Sequence, residues 1–96
     1  MKIDFNKNNT ELTVALDGRL DTMTAPELES LLADKYDGTD SITFNCEKLA
    51  YISSAGLRVL LTVNKKMKGA MKLTGVNELV MEVFEMTGFA DILVIE

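Results

Sequence analysis

Ninety-six residues with ten Lys and Arg against fifteen Asp and Glu, a formal charge of −5, amount to one domain of ordinary size spanning residues 1–96. The acidic balance speaks against nucleic acid and anionic membranes as partners, because affinity for either comes largely from Lys and Arg. An apolar content of 47% with a single proline excludes a disordered chain.

Met1, Ile3 and Phe5 alternate with Lys2 and Asp4, the period of a half-buried strand. Leu12, Val14 and Leu16 repeat the pattern, and Asn8-Asn9 between the two runs suits a tight hairpin turn. Thr24 and Glu27 then stand at capping-box spacing, with Pro26 in the first turn. Leu28, Leu31 and Leu32 predict a helix, with Tyr36 one turn further on and Asp37-Gly38 at its end. Ile42, Phe44 and Cys46 predict a third strand. A second helix is expected from about Ser54 to Lys68, with Leu57, Leu60, Leu61 and Met67 on one face and Gly69 as its cap. Met71 and Leu73 mark a short strand. Asn77 heads a third helix carrying Leu79, Val80, Val83 and Phe84, closed by Gly88-Phe89, and Ile92 to Ile95 reads as a last strand. The order β-β-α-β-α-β-α-β implies an α/β fold, a mainly parallel mixed sheet with an antiparallel N-terminal hairpin.

Catalysis has no machinery in this chain. There is no histidine for base work or metal ligation, and the glycines fit neither the dinucleotide nor the P-loop pattern. The one cysteine, Cys46, has no second cysteine to pair with, which suits a reducing compartment and a packing role. Glu78, Glu82 and Glu85 share a helix face and read as solvated. Of Met67, Met71, Met81 and Met86, the spacing fits core filling. Lys65, Lys66 and Lys68 complement a helix C-terminus. Residues 1–20 lack the continuous apolar run of a signal peptide, and no later stretch is long enough to span a bilayer. No metal, no cofactor, no membrane and a cytoplasmic location are therefore expected.

The segment Tyr51-Ile52-Ser53-Ser54-Ala55-Gly56-Leu57-Arg58 reads locally as a strand exit followed by a helix whose N-cap is Ser53 or Ser54. A serine in such a first turn faces solvent. A phosphate there would add about −1.5 to −2 charges at a place where free N–H groups and the helix dipole favour an anion. The surface would change while the fold survived.

With these residues in view, the chain resembles the STAS-domain anti-sigma factor antagonists. Ile52-Ser53-Ser54-Ala55-Gly56-Leu57 is similar to the family's phosphorylation motif, usually written D-S-[ST/A]-G-L. Gly18-Arg19-Leu20-Asp21 with Thr24-Ala25-Pro26 resembles its G-x-L-D…T-A-x turn, and Val83-Phe84 with Thr87-Gly88-Phe89 and Ile92 resembles its closing helix and strand. The resemblance implies a small mixed sheet with three helices largely on one side. It implies phosphorylation at Ser54 and no catalytic residue. The partner-binding surface expected around that serine is formed by Asp21, Thr24, Ser53, Gly56, Leu57, Arg58 and Leu61. Ser53 takes the place of the usual acidic residue before the phosphoserine, and Asn45 that of a commonly acidic residue at the end of the third strand. Two partners are implied, both bacterial. One is an anti-sigma factor that is a serine kinase of the histidine-kinase-like ATPase fold, and the other is a metal-dependent serine phosphatase. STAS domains also act without phosphorylation, as scaffolds or as subunits of signalling and lipid-transport complexes, which is the alternative for this chain.

Overall fold

The computed structural model describes residues 1–96. Strands β1 (Lys2–Asn8) and β2 (Glu11–Leu20) form the antiparallel hairpin. Its tip is Asn9-Thr10, one residue later than the expected Asn8-Asn9, and Asn9 takes the positive φ, 58°. Asparagine tolerates that conformation better than other residues with a side chain.

Helix α1 (Ala25–Leu32) is followed by β3 (Ser41–Ile52), helix α2 (Ser54–Lys66), β4 (Met71–Thr74), helix α3 (Glu78–Thr87) and β5 (Val94–Ile95). The sheet order is β1-β2-β3-β4-β5, parallel from β2 onward. Successive parallel strands laid down in one direction, each joined by a right-handed crossover, place all three helices on the same face. Burial follows that arrangement. Leu12, Val14, Leu16 and Leu20 of β2 are buried, as are Ile42, Phe44, Cys46, Leu49 and Ile52 of β3, whereas Thr13, Ala15, Thr43 and Asn45 face the uncovered side. Leu28, Leu32, Leu57, Leu60, Val80 and Phe84 from the helices close the core, which contains no buried polar or charged residue.

Several elements differ from the sequence expectation. Strand β3 runs on to Ile52 instead of ending near Cys46. Its pairing with β2 shifts twice, from Ala15↔Asn45 to Asp17↔Lys48 and then to Arg19↔Tyr51. Each shift inserts a residue into β3, and such bulges break the two-residue alternation that makes a strand readable. Helix α1 ends at Leu32, well before Asp37-Gly38, and Leu31 is exposed. Helix α2 closes at Lys66, with positive φ at Lys68 and Gly69. Beyond Gly88, which adopts the left-handed conformation (φ 81°), a short 3-10 turn over Phe89–Asp91 occupies part of the expected last strand, and only Val94 and Ile95 pair with β4. Leu79 and Met86 of α3 are exposed, so Met86 does not fill the core. Cys46 is buried, and burial pushes its thiol up to about 12, as suits packing and not reactivity. No helix is long and apolar enough to cross a membrane.

Candidate functional site: the head of helix α2

In the β2–β3 pairing, Leu20 stands opposite Ile52, so the two chains leave the sheet side by side. The Ser53 N–H donates to the Leu20 carbonyl at 2.9 Å, tying the two exits together. From one exit comes the loop Asp21–Thr24 into α1; from the other comes Ser53 and then α2. Residues distant in sequence thereby share one end of the domain.

Ser53 is the N-cap of α2, with extended backbone (φ −104°, ψ 177°), and its carbonyl accepts from the Leu57 N–H at 2.9 Å. Its hydroxyl does not cap. The Oγ is buried with no hydrogen-bond partner, and no side chain accepts from the first turn of α2. Ser54, the first residue of the helix, is exposed. The head of α2 thus presents an accessible hydroxyl beside backbone donors that no side chain has claimed, in a turn that carries no acidic residue.

Gly56 explains how α2 can start so close to the sheet. A Cβ there would lie 2.8 Å from the Leu20 carbonyl oxygen, the Leu20 Cγ and the Ile52 Cγ1. Gly56, expected in the partner-binding surface, is buried against the strand ends. Leu57, expected in the same surface, is 4% exposed and part of the core. Both shape the surface from behind. Arg58 is exposed, Leu61 half-buried.

The loop beside Ser54 is held by Asp21. Its Oδ1 accepts from the backbone N–H groups of Met23 (3.0 Å) and Thr24 (3.2 Å). The Thr24 hydroxyl accepts from the Asp21 N–H at 2.9 Å and directs its proton to the Arg19 carbonyl at 2.7 Å, with a longer approach of 3.3 Å to Asp21 Oδ1. Thr24 consequently makes no side-chain cap for α1, and the capping box expected with Glu27 is replaced by this turn. Asp21 also lies 3.7 Å from Arg19 Nε, whose guanidinium sits 4.4 Å from the centroid of the Tyr51 ring. Loss of water around the carboxyl opposes ionisation, but the donors from Met23 and Thr24 and the Arg19 charge outweigh it and hold Asp21 below the ordinary carboxylate range.

Sequence reasoning missed Met23, which is 85% exposed on this hydrogen-bonded loop. No periodicity marks it; only its place between Asp21 and Thr24, both bound into the turn, could have singled it out. A groove between α1 and α2 opens next to the site, lined by Thr22, Pro26, Glu29, Ala55, Arg58 and Thr62. Asn45 does not belong to the site. It lies in mid-strand on the uncovered face, seven residues before Ile52, and its side chain accepts from the Glu47 N–H at 3.0 Å. The expectation of a strand end at Asn45 fails because β3 is longer than its alternation suggests.

A mixed sheet covered on one face by three helices, with the exposed hydroxyl, the ordered acidic loop and the groove all at one end, defines a small α/β domain built to present a helix-end surface. Residues 2–96 match the family model of the STAS domain, and the chain belongs to that family. It is 38% identical over 96 residues to BtrV of Bordetella bronchiseptica, a candidate anti-sigma factor antagonist, covering 96% of this chain and 83% of that protein. It is 34% identical over 97 residues to the anti-sigma-B factor antagonist of Staphylococcus aureus, covering 97% and 90%. Among solved structures, a candidate anti-sigma factor antagonist from Thermotoga maritima superposes with a TM-score of 0.88 at 18% identity, over 97% of this chain and 84% of that one. Unphosphorylated SpoIIAA, an anti-sigma factor antagonist, gives 0.76 at 15% identity, over 99% and 87%. These structural likenesses carry the fold.

Proposed function

We propose that this protein is a cytoplasmic anti-sigma factor antagonist switched by phosphorylation of Ser54. In its unphosphorylated form it binds an anti-sigma factor that is also a serine kinase of the histidine-kinase-like ATPase fold, and the sigma factor is freed. The kinase transfers the γ-phosphoryl group of ATP to Ser54 Oγ; the hydroxyl proton is lost and ADP remains. A metal-dependent serine phosphatase returns the hydroxyl. The function is binding, and the chain itself supplies a phosphate acceptor and no catalytic group.

The observation that carries this reading is the state of Ser54: an exposed hydroxyl on the first residue of a helix whose N-terminal donors have no side-chain partner. A phosphate there is accommodated by the N–H groups and dipole of α2 without disturbing the core. The names of the two curated relatives support the same reading. Release follows from electrostatics. An interface packed around a neutral hydroxyl must desolvate a dianion after transfer, next to the Asp21 carboxylate on the neighbouring loop. A loss of about 3–4 kcal/mol weakens binding by two to three decades. Within the contact surface, Asp21 and Thr24 order the loop, Ser53, Gly56 and Leu57 set the height of α2, and Arg58 and Leu61 meet the partner.

The test is the intact mass and peptide map of the protein purified from its native host, beside a Ser54→Ala version. A phosphate on Ser54 that is absent from the alanine form is expected. A protein that captures its partner yet carries no phosphate under growth or stress would replace this reading with a phosphorylation-independent STAS module.

A further inference from the structure

Arg58 stands four residues after Ser54 on α2, so the two side chains occupy one helix face, with Cβ atoms about 5–6 Å apart. Both are exposed, and Arg58 forms none of the salt bridges or aromatic stacks in the molecule, which involve Arg19, Lys35, Lys66 and Lys72. It is the only basic side chain lining the Ser54 end of the α1–α2 groove, where Glu29 supplies the one carboxylate. Its five donors are therefore uncommitted. An anion placed N-terminal to a cation at this spacing is the favourable orientation on a helix, and a guanidinium fits phosphate oxygens in a two-point contact.

We propose that Arg58 is the intramolecular counter-ion of a phosphate on Ser54. This rests on Ser54 being the phosphorylated residue, and it changes what phosphorylation does. The new dianion also pulls the guanidinium back along its own helix and removes the only cation from the partner-facing end of the groove. A partner that had met a neutral hydroxyl and a free arginine now meets a closed ion pair. Release is thereby split between an added repulsion and a withdrawn attraction. The carboxylates Asp21 and Glu29 oppose the phosphate, and the Arg19 guanidinium, paired with Asp21, favours it; all three are the same in every variant below, so differences among variants report on position 58.

The experiment installs phosphoserine at position 54 during translation, which makes it independent of any host kinase. The second ionisation of the phosphate is then followed by phosphorus NMR in the unsubstituted protein, in Arg58→Gln and in Arg58→Lys. The paired phosphate is expected to titrate lower than in Arg58→Gln by roughly 0.5 pH unit, with Arg58→Lys in between and the gap shrinking in high salt. Equal titration in all three forms would overturn the proposal even if mass spectrometry finds the phosphate on Ser54 in the host. Conversely, a host protein without that phosphate would remove the switch while leaving the measured pairing intact, so the two failures are told apart. An unchanged melting temperature in Arg58→Gln before phosphate is installed checks that the fold is not the cause.

Discussion

Helices α2 and α3 begin in opposite ways. At the head of α3, Asn77 accepts from the Val80 N–H at 2.8 Å and donates through its amide to the Leu49 carbonyl at 2.9 Å, so one side chain caps the helix and ties it to β3. At the head of α2, Ser53 has the same extended N-cap backbone but its hydroxyl bonds to nothing, and Ser54 faces solvent. One helix start is finished as structure. The other is left with open donors, and it is the one that sits beside the ordered Asp21–Thr24 loop. An N-cap sequence alone therefore does not say whether a helix end is sealed; the hydrogen bonds do.

The strongest way to disturb the contrast is to move α2 off the sheet. Gly56→Ala puts a methyl group 2.8 Å from the Leu20 carbonyl, which cannot yield as a flexible side chain would. A loss of about 1–3 kcal/mol in denaturant unfolding is expected, together with weaker partner capture as the Ser54 end shifts. Next comes a matched pair of methionines. Met23, on the loop beside Ser54, and Met86, on α3, are 85% and 86% exposed. Met23→Ala should weaken capture of the partner by roughly tenfold, as an apolar anchor at the contact surface would. Met86→Ala should change it by less than about twofold.

The two caps themselves give smaller effects of different size. Asn77→Ala should cost about 1 kcal/mol in unfolding, because it strips a helix donor and the Leu49 carbonyl of a partner. Ser53→Ala should stay within about 0.5 kcal/mol of neutral, since its buried hydroxyl makes no bond to lose. The smallest effect is one that disappears in acid. Asp21 is held below its ordinary value in the folded state, so its contribution is fully present above the unfolded pKa of about 3.9 and fades as pH falls through the lower folded value. In Asp21→Asn the unfolding midpoint should lie below that of the unsubstituted protein near neutrality, and the gap should close in that acid window.

Much of this was legible in the sequence. The hairpin, the alternation of Ile42, Phe44 and Cys46, the Asn77 cap and the Gly88 stop each rest on a local rule, and local rules survive folding when nothing nearby competes. The bulged half of β3 was not legible, because two inserted residues scramble the period while the backbone pairing continues. Thr24 was misread for a related reason. Its hydroxyl had a capping site on α1 and a turn with Asp21 and Arg19 to choose between, and only the tertiary position of the β2 exit decides. At the site, the motif singled out Ser54, which is exposed, and grouped with it Gly56 and Leu57, which are buried. A residue type says that a helix approaches something closely; it does not say whether that something is a partner or the chain's own sheet.

The most direct test of the central claim compares two preparations of the purified protein as bait in lysate of its native host, one with serine and one with phosphoserine at position 54. The account predicts that the serine form retains an anti-sigma factor with a histidine-kinase-like ATPase domain, that ATP releases it, and that the phosphoserine form retains at least roughly 100-fold less. Equal retention by both forms, with no release by ATP, would contradict it.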